Sequence, residues 1–549
     1  MSTRDQVSEA SVGSFDYVIV GGGAAGSVLA ARLTEDPYTT VCVLEAGPED
    51  FHPLIHIPAG VIKLLFNPSV AWQFKTEGSF GTNGRNVFAP QGKVLGGSSS
   101  INGMIYNRGL PSDFNGWAQL GSRGWSYDDV LPYFKKSERR IGPGDEHYRG
   151  RVGGIPVSDN NWITPLTEAF LEGAQTLGIP RNPDYNGASQ AGVGYMQRAI
   201  ENGRRVSAAR AYLKPARKRA NLSVIPNAQA TKIIFEGKRA TGILFAHSKS
   251  RERKIAYARR EVIISSGSIN TPKLLQISGV GPRAVLKSLG ISPVHEMPGV
   301  GRNLSDHFGM RTVVEVKNTP TANELSRWPR LGGEIFKWLV GRPSILGMSS
   351  SIANVFWRSD EHQEEPDLQF VFTPLSFKAG LFGMPDDFPG VSLGMWPHRP
   401  QSRGYVAARS ANPFEDPIIQ PNYLQAEYDQ RMMVAAIRLS RRLLSTPQFS
   451  KFVVRESVPG PSRTTDDELL DVARQTGSTI YHFVGTSRMG PKTDVNAVVD
   501  DRLRIHGLEN IRIVDASIMP DVPSGNTYAP TLMIAEKGAD LIREEAHQN

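Results

Sequence analysis

Gly21, Gly23 and Gly26 stand in G-x-G-x-x-G spacing, and an acid, Glu45, lies 19 residues beyond the last of them. Residues of these types at these intervals can hold a dinucleotide. The first glycine allows a tight turn out of a strand, the second lets backbone reach a pyrophosphate, and the third lets a helix lie close on its strand. N–H groups at the helix start then face the phosphates with the positive end of the helix dipole behind them. A carboxylate at Glu45 would accept hydrogen bonds from both ribose hydroxyls and repel a 2′-phosphate. A second stretch, GKVLGGSSSINGMIYNRG (92–109), has the small donors that wrap a flat ligand or a phosphate, although an ordinary Gly/Ser loop reads the same way. His52 and His56 have i, i+4 spacing, but Pro53 intervenes and no third ligand follows, so no metal is expected.

The elements around the fingerprint support it. DYVIV reads as a buried strand, SVLAARL as a helix to about Leu33, and Thr40 to Leu44 as a second strand ending at Glu45. The motif leaves NAD and FAD both open. The 549 residues imply two large intertwined domains or three ordinary ones. Net charge is +8, but 62 basic and 54 acidic residues are interspersed with no long basic tract, which suits an anionic cofactor and no nucleic acid. The single cysteine, Cys42, permits no disulfide within the chain and no thiolate metal cluster, and suits a reducing compartment. Residues 1–14 form a polar tail without the apolar core of a secretory signal. Residues 16–33 are apolar, but their glycines and strand–turn–helix pattern argue against a transmembrane span. The expected location is cytoplasmic, with peripheral contact to the inner membrane left open.

Further along, a helix is expected over Pro165 to Leu177, strands over 222–226 and 230–235, and a strand over Glu261 to Ser265. The last runs into GSINTPKLLQISGVG (267–281), where Pro272 reads as the first turn of a helix capped by Thr271. Between about 310 and 470 the texture changes to short apolar runs, DLQFVF (367–372), VSLGMW (391–396) and GYVAAR (404–409), followed by a helix near 426–445. These predict an antiparallel sheet with helices. The final block returns to loop–strand–helix units, with IRIVDAS (511–517) as a strand and Pro530 at a helix start. The chain therefore begins and ends in one nucleotide-binding domain with the other region inserted.

Seven stretches together resemble the glucose–methanol–choline (GMC) flavoprotein oxidoreductases. They are GGGAAG…LEAG (21–47), residues 92–109 and 267–281, GVGRNLSDH (299–307), SRGYVAARSANP (402–413), YHFVGTSRMG (481–490) and GNTYAPTLMIAEKGADLI (525–542). They stand in family order nearly end to end, and the chain looks most like bacterial choline-dehydrogenase-like and alcohol dehydrogenases. The resemblance implies an α/β (overall α+β) architecture. A Rossmann-like FAD-binding domain would comprise 15–155, 200–308 and 476–546. A substrate domain on an antiparallel sheet flanked by helices would comprise 156–199 and 309–475.

The resemblance also implies site residues. Gly21, Gly23, Ala24, Ala25 and Gly26 would meet the FAD pyrophosphate, and Glu45 and Ala46 the adenosine ribose. Asn102, Gly103, Met104 and Ile105 would lie along the flavin and ribityl chain, Ala230 at the adenine, and Asp515 and Ala516 near the ribityl–pyrophosphate. Val94, Gly96, Gly97 and Thr527 complete the cofactor set. The helix at 529–542 would aim its positive end at the flavin pyrimidine ring. His482 matches the family's catalytic histidine and Asn526, 44 residues on, its partner; without the motif, a histidine between Tyr481 and Phe483 would read as structural. His482 would take the hydroxyl proton while hydride moves to flavin N5, and Asn526 would hold the substrate oxygen. His307, in GVGRNLSDH, reads as a structural residue at a domain junction or beside the flavin.

Three positions depart from the family. Ile101 replaces a histidine that some family oxidases bond covalently to the flavin, so non-covalent FAD is expected. Phe483 and Tyr528 flank the presumed catalytic pair and would make the pocket more aromatic. The expected activity is oxidation of a primary alcohol, aromatic or bulky and apolar, to the aldehyde, with electrons passing to a quinone or other carrier. Dioxygen as acceptor, with hydrogen peroxide as product, is the alternative, and hydroxynitrile cleavage a remote one. Phe356, Trp357, Phe370, Phe372 and Trp396 are candidate pocket walls, some of which strand alternation must send into the core.

Overall fold

The glycine fingerprint sits where a strand hands over to a helix: Ala10–Val20 ends at Gly21, and the helix Ala24–Leu33 begins just beyond. The computed structural model describes residues 10–378 and 383–548. Gly26 is the contact point, since a Cβ there would lie 1.9 Å from the Gly21 carbonyl oxygen.

The strand Arg253–Ile264 joins the two halves of the first sheet. Its last residues run parallel to Tyr17–Val20 on one side and to Ile511–Ile513 on the other. Its first residues pair antiparallel with Arg239–His247, which pairs in turn with Ala228–Glu236. Val41–Leu44 and Leu222–Ile225 continue the parallel half beyond the first strand. These strands are apolar along their length because both faces are buried: Val18, Ile19, Val41, Val43 and Val262 are fully buried, and the helix Ala24–Leu33 packs on one face. Cys42 lies in the same layer, and burial pushes its thiol up to about 12, so it acts as a small core residue. The C-terminal helix, Tyr528–Gln548, packs against Ala24–Leu33 and buries Leu532, Ala535, Ala539 and Ile542.

The second sheet is antiparallel throughout. Its order is Val453–Val458, Phe308–Val316, Gly390–Pro397, Leu368–Thr373, Ala353–Trp357 and Gly192–Tyr195. The helices Pro165–Thr176 and Glu427–Leu444 cover one face. Phe370 and Phe372 point to that face, with Phe372 stacked on Phe170 at 4.4 Å between ring centroids. The other face closes a cavity shared with the first sheet. No helix of the described residues is long and apolar enough to cross a membrane.

One helix start differs from the sequence expectation. The helix begins at Gly267, so Pro272 lies inside it. Thr271 does not cap; its hydroxyl donates to Asp515 at 2.7 Å. A proline inside a helix leaves the carbonyl four residues back without its N–H partner. Here that carbonyl, on Ser268, accepts from the Thr486 hydroxyl at 2.6 Å instead.

Candidate active site

All five parallel strands deliver their C-terminal ends to one side, the place where open α/β sheets take ligands. A cavity of about 1020 Å³ starts there and runs to the second sheet. Gly21, Gly23, Ala24, Ala25, Glu45, Ala46, Gly97, Asn102, Gly103, Met104, Ile105, Ala230, Asp515, Ala516 and Thr527 all line it, as do His482 and Asn526. Gly26, Val94 and Gly96 stand behind the wall. Gly26 packs helix on strand, Val94 is fully buried in a small apolar cluster, and the Gly96 N–H donates to the Gly22 carbonyl at 2.7 Å.

The nucleotide end is built from backbone. Gly23 leads into the Ala24–Leu33 helix with no side chain capping it, so the first N–H groups face the cavity. A Cβ on Gly23 would meet nothing nearer than the Gly97 Cα at 3.9 Å, which leaves room for a phosphate. Glu45 accepts from the Gly22 and Gly47 N–H groups, each at 2.8 Å, and burial pushes it up to about 7. The Asp515 carboxylate ties two chain segments together, accepting from the Gly267 N–H and Thr271 hydroxyl of one helix and from the Ser517 N–H of its own turn. Donor-rich backbone, a buried acid at a strand end and a helix N-terminus at a strand-end crevice fit FAD.

The loop carrying Asn102 to Ile105 is fixed from below by Arg205, a residue that sequence reasoning missed. Its guanidinium is buried and donates to the Asn102 side-chain oxygen at 2.8 Å and to the Ile55 and Ser99 carbonyls. Burial lowers it to about 9. Met104, on the same loop, has φ +61, a left-handed conformation uncommon for a side-chain-bearing residue.

The reacting end centres on His482. Its Nε2 lies 3.1 Å from the Asn526 amide nitrogen, although the two residues come from different parts of the chain. The backbone of His482 is pinned by Asp306, which accepts its N–H at 2.7 Å and the Tyr423 and Thr479 hydroxyls at 2.5 Å each. Tyr481, one residue earlier, is held at φ +66. Burial drives the His482 imidazole well below its ordinary value, and His307 beside it pushes the same way. His307, directly before the second-sheet strand Phe308–Val316, adjoins this ring: its Nδ1 is 2.9 Å from the Nδ1 of His482. Nothing in a sequence separation of 175 residues signals that contact.

The substrate end is apolar. Met310, Leu331, Ile345, Met348, Val371, Leu375 and Trp396 line it, and Trp396 meets the His482 ring edge-on at 6.2 Å. Of the five aromatic candidates only Trp396 is on the wall; Phe356, Trp357, Phe370 and Phe372 are not. On the Leu368–Thr373 strand the lining residues are Val371 and Thr373, because side chains alternate. Phe483 and Tyr528 do line the cavity, as does Ile101. Among the described residues, the lining acids are Glu45 and Asp515, both at the nucleotide end, while Arg85, Lys273, Arg311 and Lys378 supply positive charge.

A family model described as GMC oxidoreductase matches residues 15–309, and a second with the same description matches residues 400–535. The chain is 41% identical to an "Alcohol dehydrogenase [acceptor]" of Pseudomonas putida, over 96% of this chain and 95% of that protein. It is 38% identical to an "Oxygen-dependent choline dehydrogenase" of Vibrio vulnificus, over 96% and 94% of the two chains. Among solved structures it is similar to pyridoxine 4-oxidase from Mesorbium loti, with a TM-score of 0.86, 32% identity, and 97% and 99% of the two chains covered.

Proposed function

Because the chain belongs to the GMC oxidoreductase family, an FAD-dependent group acting on CH–OH donors, we propose that it oxidises a neutral primary alcohol with an apolar or aromatic body to the aldehyde. The observation that carries this reading is the contact of His482 Nε2 with the Asn526 amide, 3.1 Å, on the wall of an apolar cavity. FAD, held without a covalent bond since Ile101 offers no nucleophile, supplies the hydride acceptor when bound. His482 takes the hydroxyl proton at Nε2, and an Asn526 N–H holds the substrate oxygen in line. Trp396 and the apolar walls exclude water from that contact.

The charge balance of the cavity disfavours choline. A quaternary ammonium is drawn to carboxylates and aromatic faces; Trp396, Phe483 and Tyr528 offer faces, but the described lining residues at the substrate end include no acid and do include Arg311. For electrons we favour a quinone or another carrier over dioxygen, following the Pseudomonas putida relative. The test is an anaerobic absorbance titration of the yellow enzyme with benzylic, aliphatic and choline alcohols, followed by air or a soluble quinone. Bleaching by apolar alcohols, none by choline, and recovery faster with quinone than with air are expected. Choline as the best reductant would overturn the substrate class, and immediate recovery in air would make the protein an oxidase.

A further inference from the structure

We propose that His307 is a positioning residue that fixes the tautomer of His482 and so makes His482 Nε2 the base. This inference rests on the alcohol-oxidising reading of the site. His307 Nε2 lies 2.7 Å from the carbonyl oxygen of His398. A carbonyl can only accept, so His307 carries its proton on Nε2. A neutral His307 then presents a bare Nδ1 to the Nδ1 of His482, 2.9 Å away, and one proton must lie between them. That proton belongs to His482. Its Nε2 is therefore bare, and the Asn526 amide nitrogen at 3.1 Å donates to it. The chain of donors also orients the amide of Asn526, leaving its oxygen buried without a partner.

A doubly protonated His307 would reverse this order, and the surroundings oppose it. His307 and His398 are fully buried. The rings facing His307 are Trp396 at 6.3 Å and His482 at 5.1 Å, neither of them anionic. The nearest acid, Asp306, directs its oxygens to Tyr423, Thr479 and the His482 N–H rather than to either imidazole. His398 presents its own Nδ1 to the Pro366 carbonyl at 3.0 Å and adds no negative charge. When the substrate hydroxyl gives its proton to Nε2, His482 becomes an imidazolium whose Nδ1–H still donates to His307 Nδ1. On the Nε2 side the Asn526 N–H leaves the ring nitrogen as the substrate hydroxyl takes its place, so only the His307 side stays as it was.

The direct test is nitrogen NMR on holoenzyme labelled with ¹⁵N-histidine, with the His482 signals assigned by their loss in His482→Gln. A protonated Nδ1 and a bare Nε2 are expected for His482. In His307→Leu the two tautomers should mix, and anaerobic flavin reduction by alcohol should slow about 10²-fold or more at unchanged flavin content. His307→Gln should recover most of that rate, since its amide can donate to His398 and accept from His482. His482 protonated at Nε2 in the wild-type enzyme would overturn the proposal, as would a fast His307→Leu or an unrescued His307→Gln. The tautomer is read without any substrate. Failure of every alcohol to bleach the flavin would therefore count against the activity and not against the assignment.

Discussion

Gly97 and Gly23 meet backbone to backbone: a Cβ on Gly97 would come within 2.8 Å of the Gly23 Cα. The two loops, distant in sequence, are thus pressed together at a point where Gly97 cannot carry a side chain toward Gly23, whereas a Cβ on Gly23 would make only ordinary contact with Gly97 at 3.9 Å. Gly97 also has φ +54. Gly97→Ala should push the Gly23 turn out of position and lower FAD occupancy more than tenfold, read as the ratio of flavin to protein absorbance. Gly116→Ala is the control. It lies in the helix Pro111–Gln119 with nothing within 4 Å of its Cβ position, and should raise stability by about 0.5–1 kcal/mol in chemical denaturation.

His482→Ala should reduce the rate of flavin reduction by about 10²–10⁴-fold while the bound flavin spectrum stays normal, the range for loss of a positioned general base. Asn526→Ala should cost less, about 10–100-fold, because it orients the substrate oxygen and takes no proton. Stopped-flow absorbance under anaerobic conditions separates these effects from later electron transfer. A His482→Ala enzyme that reduces its flavin at the wild-type rate would remove His482 from the chemistry.

The pH profile follows from burial. Burial of His482, with His307 beside it, holds its imidazole well below the ordinary 6.5. A lowered value means the bare base persists as pH falls, so the acid limb of kcat/KM should lie below pH 6.5. His307 lowered to about 4 and His398 lowered to about 3 remain neutral over the same range, and so add no charge beside the base. Asp306, pushed up to about 7 by burial, is the neighbouring group that can titrate near neutrality, and it faces the His482 backbone rather than the ring. Profiles of wild type and Asp306→Asn separate the two: only the wild type should show an inflection near neutrality, and both should keep the acid limb below pH 6.5.

The nucleotide half was legible in the sequence because its signals are local. A strand, three glycines, a helix and an acid lie within residues 16–45, and the strand and the helix form where the residue types indicate. The reacting half was legible only through the resemblance. His482, Asn526, His307 and the His398 carbonyl come from four separate stretches, and no periodicity connects them. Pro272 misled for a definable reason: a hydroxyl from Thr486 satisfies the carbonyl that a proline normally strands, so the helix begins earlier than the residue types indicate. Arg205 escaped notice because a basic residue beside a second arginine reads as surface until the fold buries it.

Phe372 and Val371 are adjacent, yet they face opposite ways. Phe372 is fully buried between Phe170 and Phe449, with centroids at 4.4 and 5.8 Å, and Val371 lines the cavity. Phe372→Ala should therefore destabilise the protein by about 3–5 kcal/mol. It should leave the order of preference among alcohols unchanged in the enzyme that folds. Val371→Phe should do the reverse. It adds a ring where the Val371 side chain already crowds Gly394, whose Cβ position is 2.9 Å from a Val371 methyl. The affordable room is on the cavity side, so KM for bulky alcohols should rise several-fold relative to small ones. Thermal melts and a kcat/KM series over alcohols of increasing width measure both. A Phe372→Ala enzyme with altered preference and unaltered melting would mean that the strand presents its other face to the substrate.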